Sequence, residues 1–473
     1  MKFLQKSFLI LILVASQINQ ASAGVFFNIK GNDEAKTKIL FFGFDMSDPD
    51  LHQDAVEIFE RVRKNLKTTD LFEVLKSSGK LYVAGERPND AAPSMGKKNI
   101  QFAPQNTSAQ NLEELSISVE AVPNFEVYNK SGVGAIVVAQ FNYDQENNLE
   151  MRVRMWDMLD QRQLFGKFYS VSKPNYKKVA NLLSDEIFKA ITGETVGHFN
   201  SQIMYVSETG AAKKRIKKII TMDFDGENRR TATDGRDLVL TPIFTKKENE
   251  IYYLRYFDNK PQIFSLDLKT SRAKRLGGFR GTTLAPSIHP TDQNLVLFSA
   301  IFDGNSDIYE LNIAENSAQR LTKSPAIDTT PVYSRDGKSV LFVSDRDGGQ
   351  QIYMMNANGS DVRKISDGAG SYAKPAWSPD GKMIAFTRIK GGQFYIGTMS
   401  ANGKNERLLT TGYVVEGAKW APNGRYLIYS KKKSAYGKDS IPRLSIIDVA
   451  TGFEFELPTP ANEGAVDPDW ALL

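Results

Sequence analysis

The chain has 473 residues, 41% hydrophobic and 24% charged, with a formal net charge of +5 and no cysteine. That length allows two or three domains, and the composition is ordinary for a soluble globular protein and argues against disorder of the chain as a whole. Disulfides, thiolate metal sites and cysteine nucleophiles are ruled out, and a charge of about +3 once Lys2 and Lys6 are set aside is too weak to indicate nucleic acid or an anionic membrane surface.

The first 23 residues read as an export signal. Lys2 and Lys6 supply the positive start, residues 8–14 (FLILILV) the apolar core, and Ala21-Ser22-Ala23 the small residues for cleavage after Ala23. The polar SQINQ at 16–20 cuts the run well short of the roughly 20 apolar residues that a spanning helix needs. A soluble exported protein without a membrane span, beginning at Gly24, is the expectation.

Residues 24–195 mix strand and helix signals. KILFFGF (38–44) suits a buried strand, and Leu51, Ala55, Ile58, Phe59, Val62 and Leu66 recur at spacings of three and four, which places them on one face of a helix. GAIVVAQFNY (134–143), LEMRVRMWDML (149–159) and QLFGKFYSV (163–171) read as three consecutive strands; in the second, Met151, Val153 and Met155 alternate with Arg152 and Arg154. Pro174 is expected to open a last helix carrying Val179, Leu183, Ile187 and Ile191, closed by Gly193. Strands backed by two helices form an α/β layer, and the polar, turn-rich stretch 88–111 reads as a long surface loop.

From 199 onward only strands are signalled. The motifs TPIF, APSI, TPVY, KPAW, GAKW and DPDW begin at 241, 285, 330, 374, 417 and 467, spacings of 44, 45, 44, 43 and 50 residues. That period is the length of a four-stranded propeller blade. Within KPAWSPDGKMIAFTRIKGGQFYIGTMSANGKNERLLT the order is inner strand, SPDG turn, alternating strand, glycine turn, strand, ANGK turn and final strand. Proline presets φ, and Asp-Gly or Asn-Gly tolerates the positive φ that a tight hairpin requires. SRDG (334–337) and APNG (421–424) are variants, whereas HPTDQN (289–294) and FTKKEN (244–249) lose the glycine.

Residues 199–235 hold the later strands of a blade without a first strand, and DPDWALL at the end of the chain is a first strand with nothing after it. Joined, they make a sixth blade and close the ring, which removes exposed sheet edges. The expected fold is an α/β N-terminal domain, 24–195, followed by a six-bladed all-β propeller, 199–473, closed by its C-terminal strand.

The order of export signal, α/β domain, the junction TGETVGHFNSQIMYVSETG (192–210), repeated W-S-P-D-G-K turns and a closing PDW resembles the TolB family of the Tol-Pal system of Gram-negative bacteria. The resemblance covers nearly the whole mature chain. It implies a periplasmic, non-enzymatic adaptor, a monomer in complex with its partners, that contacts the lipoprotein Pal through one propeller face and TolA through a short amino-terminal segment. Its implied roles are outer-membrane integrity and invagination during cell division. The stretch GVFFNIKGNDEAK (24–36) departs from the usual family start, but Val25, Phe26, Phe27 and Ile29 suit addition to a partner's sheet edge as well as a strand of the protein's own domain.

The loops that lead into each inner strand, at 233–240, 277–284, 323–330, 367–373, 411–417 and 458–466, should converge around the channel mouth. Arg280, Thr282, Thr283, Asp328, Thr329, Tyr372 and Glu416 are the candidate partner contacts, a polar ring with one aromatic anchor. The family resemblance places Thr282 and Thr329 at contact positions.

Catalysis finds little support. His52, His198 and His289 fall in a helix, at the domain junction and in a blade turn, and no GxSxG, HExxH or phosphate loop occurs. DRDGG (345–349) and DGNSD (303–307) read as hairpin turns rather than calcium loops. The basic runs KKRIKK (213–218) and KKK (431–433) read as solvated edges. No metal or cofactor is called for. The alternatives are a hydrolase or lyase propeller, which needs clustered acid and base groups at the channel mouth, and a ligand-binding propeller, which needs aromatics there. For the latter only Phe279, Tyr372 and Tyr413 qualify.

Overall fold

The computed structural model describes residues 36–43, 48–77, 117–211, 214–277 and 282–472. Strand β1 (Thr37–Phe42) is followed by helix α1 (Pro49–Lys67). The Asp48 carboxylate accepts from the N–H groups of Asp50 and Leu51, at 3.0 and 3.1 Å, and Pro49 already has a helical φ, so the helix starts there. Its predicted apolar face is buried from Ala55 to Leu66.

Strand β2 (Phe72–Lys76) and the short helix α2 (Phe125–Lys130) are elements that the periodicity did not signal. Strands β3 (Ala135–Tyr143), β4 (Leu149–Asp157) and β5 (Arg162–Val171) fall where alternation placed them. Helix α3 (Tyr176–Thr192) begins two residues after Pro174, which sits in a separate turn of 3-10 helix. Its end at Gly193 is as expected: φ is 74°, a left-handed cap that glycine adopts without a side-chain clash. The predicted loop at 88–111 and the segment Val25 to Ile29 lie outside the described residues.

The sheet order is β2-β1-β3-β4-β5. β1 runs parallel to β2 and β3, and β3, β4 and β5 are antiparallel. Helices α1 and α3 cover one face, where Phe59, Val62, Leu183 and Ile187 meet Val137, Met151, Val153 and Met155. On the other face Val119, Tyr128 and Trp156 cover one end.

Six four-stranded antiparallel sheets follow. Their inner strands are Val239–Phe244, Thr282–Ile288, Asp328–Tyr333, Ser371–Trp377, Val414–Trp420 and Gly464–Leu472. The last pairs with Ser201–Thr209, with Trp470 opposite Ile203, so the two ends of the propeller complete one blade as the orphan strands implied. Trp470 Nε1 donates to Ser201 Oγ at 2.7 Å across that closure. The turns without glycine have found substitutes. Asn249 takes φ 63° in the first blade, and His289 Nδ1 accepts from the N–H groups of Thr291 and Asp292 at 3.3 and 3.1 Å in the second.

The N-terminal domain sits on one end of the ring. Asp185 of α3 accepts from the N–H groups of His198, Phe199 and Asn200 at 2.7, 2.8 and 3.0 Å, which fixes the junction. Gly197 is required there because a Cβ would lie 2.1 Å from Asp185 Cγ. The His198 ring is enclosed by Phe188, Phe199, Phe224, Tyr426 and Trp470, so both domains share one apolar core. Arg61 of α1 adds an ion pair to Asp225 at 2.5 Å. Among the described residues no helix is long and apolar enough to cross a membrane.

Candidate functional site

The loop entering each inner strand and the turn between the second and third strands share one end of the blade. Pairs such as Val239 with Arg255 and Thr282 with Ile301 fix this arrangement. The N-terminal domain contacts the opposite end, where the second strands start at Tyr426 and the inner strand finishes at Trp470.

Every inner strand breaks its ladder at one place. The residue before the repeated Pro or Ala of each motif is left-handed: Thr241, Ala285, Thr330, Lys374, Gly417 and Asp467, with φ between 41° and 72°. The register of each strand slips there. A non-glycine residue in that region costs about 1 kcal/mol, and a bulge re-aims the side chains beside it. Here it turns Lys374 into the central space, 3.0 Å from Glu416 in the next blade and 3.4 Å from Asp467 in the blade beyond. Burial opposes the charge on Lys374, but these two carboxylates hold its pKa above the ordinary lysine value. The backbone N–H of Thr241 donates to Asp467 at 3.4 Å, and that of Phe244 to Asp469 at 2.8 Å, tying the first blade to the last. Burial pushes the Asp469 carboxyl up, against the pull of Lys419 and Arg335.

The predicted contact residues separate into two groups. Glu416 is half-exposed at the mouth, and Thr329 bonds Ser299 at 3.2 Å. Thr282 opens its inner strand, and Arg280 lies outside the described residues. The expectation of an open polar ring with an aromatic anchor is corrected at three positions. Thr283 is buried and donates to the Pro261 carbonyl at 2.7 Å. Asp328 is buried, with both oxygens taken by Arg346 at 3.0 Å. Tyr372 is 0% exposed, donates to Glu406 at 2.6 Å and lies against Arg388 and Phe386. At the start of an inner strand, alternate side chains point between blades rather than toward solvent.

Two signals were missed in the sequence. The first is a basic residue on the second strand, or just past its end, that clamps the incoming loop: Arg255 pairs with Asp237 at 2.6 Å, Arg346 in the following turn holds Asp328, and Arg388 donates to the Ala369 carbonyl at 2.6 Å and pairs with Glu406. Loops held this way lose little entropy on binding. The second is apolar surface. Leu238, Tyr256, Phe257, Ile301, Phe302, Ile327 and Tyr436 are all exposed at this end, Ile327 by 49% and Tyr436 by 86%, beside Tyr413 at 53%, which the sequence had already offered as a mouth aromatic. Unbroken polarity is normal at hairpin tips, so YFDN (256–259) and IFDG (301–304) were legible exceptions.

The histidines lie apart. His52 is on α1, His289 caps a turn, and burial lowers the pKa of His198 to about 3, which keeps it neutral.

Residues 188–473, more than half of the chain, match the family described as TolB beta propeller domain. The Tol-Pal system protein TolB of Gluconobacter oxydans (strain 621H) is 38% identical over 359 residues, covering 75% of this chain and 78% of that protein. The crystal structure of TolB from Acinetobacter baumannii superimposes with a TM-score of 0.74 at 24% identity, covering 93% of this chain and 98% of that one, a likeness of fold. On the family match and the 38% identity together, the chain belongs to the TolB family, the non-enzymatic propeller proteins of the Tol-Pal system.

Proposed function

We propose that this protein is a periplasmic adaptor, exported by a signal peptide cleaved after Ala23, that binds the lipoprotein Pal on the loop end of its propeller and TolA through Val25, Phe26, Phe27 and Ile29. It acts as a monomer in complex with these partners and supports outer-membrane integrity and invagination at division. The observation that carries the reading is the gathering of exposed apolar side chains at the end of the ring opposite the N-terminal domain. Aromatic and aliphatic groups amid a polar rim are what a protein partner buries. Thr282, Thr329 and Glu416, with Arg280, are proposed as polar contacts at the mouth. Thr283, Asp328 and Tyr372 serve the same face from beneath by holding its loops.

Calorimetric titration of the mature protein with the soluble domain of Pal from the same organism tests this. One-to-one binding that falls at least about tenfold in an Ile327→Ala, Tyr413→Ala variant is expected. A folded wild type that does not bind would remove the Pal assignment.

A further inference from the structure

Among the described residues the N-terminal sheet ends on β5, a ten-residue strand that pairs there with β4 alone. Such an edge leaves a row of N–H and C=O groups to which an extended chain can add. Gly166, Lys167 and Phe168 in its middle are exposed, Phe168 by 54%.

Met151, Val153 and Met155 of β4 face the helices, so Arg152 and Arg154 face away from them. Cross-strand pairing puts Arg152 opposite Phe168 and Arg154 opposite Gly166. Glu120 is 3.0 Å from Arg154 and 4.0 Å from Arg152, so one carboxylate is shared by two guanidiniums. The cleft they line has a volume of about 530 Å³; Lys167, opposite Val153, turns instead to the helix side, 3.2 Å from Glu186 of α3. The Arg152 guanidinium lies 6.0 Å from the centre of the Phe168 ring. Gly166 is not among the positive-φ positions, so the backbone does not require it. A Cβ there would come within 3.1 Å of the Gln163 side chain, and glycine keeps the cleft floor low.

We propose that this edge and cleft dock an extended acidic segment of a partner protein. Its main chain pairs with β5, its carboxylates meet Arg152 and Arg154, and an apolar side chain covers Phe168. The excess of cations over carboxylates in the cleft selects acidic over basic segments. The site is remote from the propeller mouth and does not depend on the Pal assignment.

A fluorescein-labelled peptide of alternating valine and glutamate, titrated against the full mature chain by anisotropy, tests the proposal. Saturable binding is expected, weakened by salt and reduced at least about tenfold by Arg152→Glu with Arg154→Glu. Amide exchange over residues 163–171 should slow on binding, and the variant should keep its unfolding temperature and its response to Pal. Equal binding of a valine–lysine peptide, binding that survives charge reversal, or unchanged exchange over 163–171 would overturn it. So would the absence of saturation up to about 1 mM peptide.

Discussion

The Lys374 ammonium lies 3.4 Å from the Asp467 carboxylate, 93 positions on in sequence and two blades away around the ring. With Glu416 at 3.0 Å it joins three inner strands through one charge. Lys374→Met leaves both carboxylates without their cation in a partly wet channel mouth. A loss of about 1–2 kcal/mol is expected, between the values for exposed and fully buried pairs, because water screens the mouth. Chemical denaturation would measure it, and adding Asp467→Asn should restore part of the loss.

Tyr372 separates support from contact. Tyr372→Phe removes the hydroxyl that donates to Glu406 while leaving the ring in place. Stability should drop by about 1 kcal/mol, with Pal affinity changed less than about threefold. A large affinity loss without a stability change would mean that the hydroxyl meets the partner directly.

The closure predicts a dependence on Trp470, which stacks on Phe224 at 5.7 Å besides bonding Ser201. Trp470→Ala should cost about 3–5 kcal/mol. The readout is the midpoint of thermal unfolding, and a shift of only a degree or two would show that the terminal strand does not hold the ring.

His198 makes stability depend on pH in a defined direction. Its pKa is lowered to about 3 by burial, with Arg425 assisting, whereas in the unfolded chain it lies near about 6.5. The unfolded state therefore binds a proton first, so this contribution is fully present above about pH 6.5 and is lost as pH falls toward 3, by up to about 1.4 kcal/mol per pH unit. In His198→Phe the slope between these limits should decrease by about one proton. An unchanged slope would mean that the ring is charged in the folded protein.

Gly197→Ala should destabilise the domain junction by about 2–4 kcal/mol, since the new methyl group would overlap the Asp185 carboxylate that organises three backbone amides. Differential scanning calorimetry would follow it, and a neutral result would show that α3 can shift away from the propeller.

Periodicity alone determined much of this protein. The spacing near 44 residues, the turn chemistry and the two orphan ends determined a closed ring of six blades, and spacings of three and four identified α1 and α3, because repeated local patterns leave few ways to bury apolar surface. Short elements escaped: FEVLK of β2 alternates over too few residues to stand out, and its place at the sheet edge is decided by pairing with β1. The site was legible as a face but not as a set of side chains. Whether Tyr372 lies buried or exposed depends on how one blade leans on the next, and Lys374 meets Asp467 only because the ring brings blades four and six together. Burial and cross-ring contacts are properties of the assembled blades, so the tertiary structure alone decided which loop residues face a partner and which hold the loops in place.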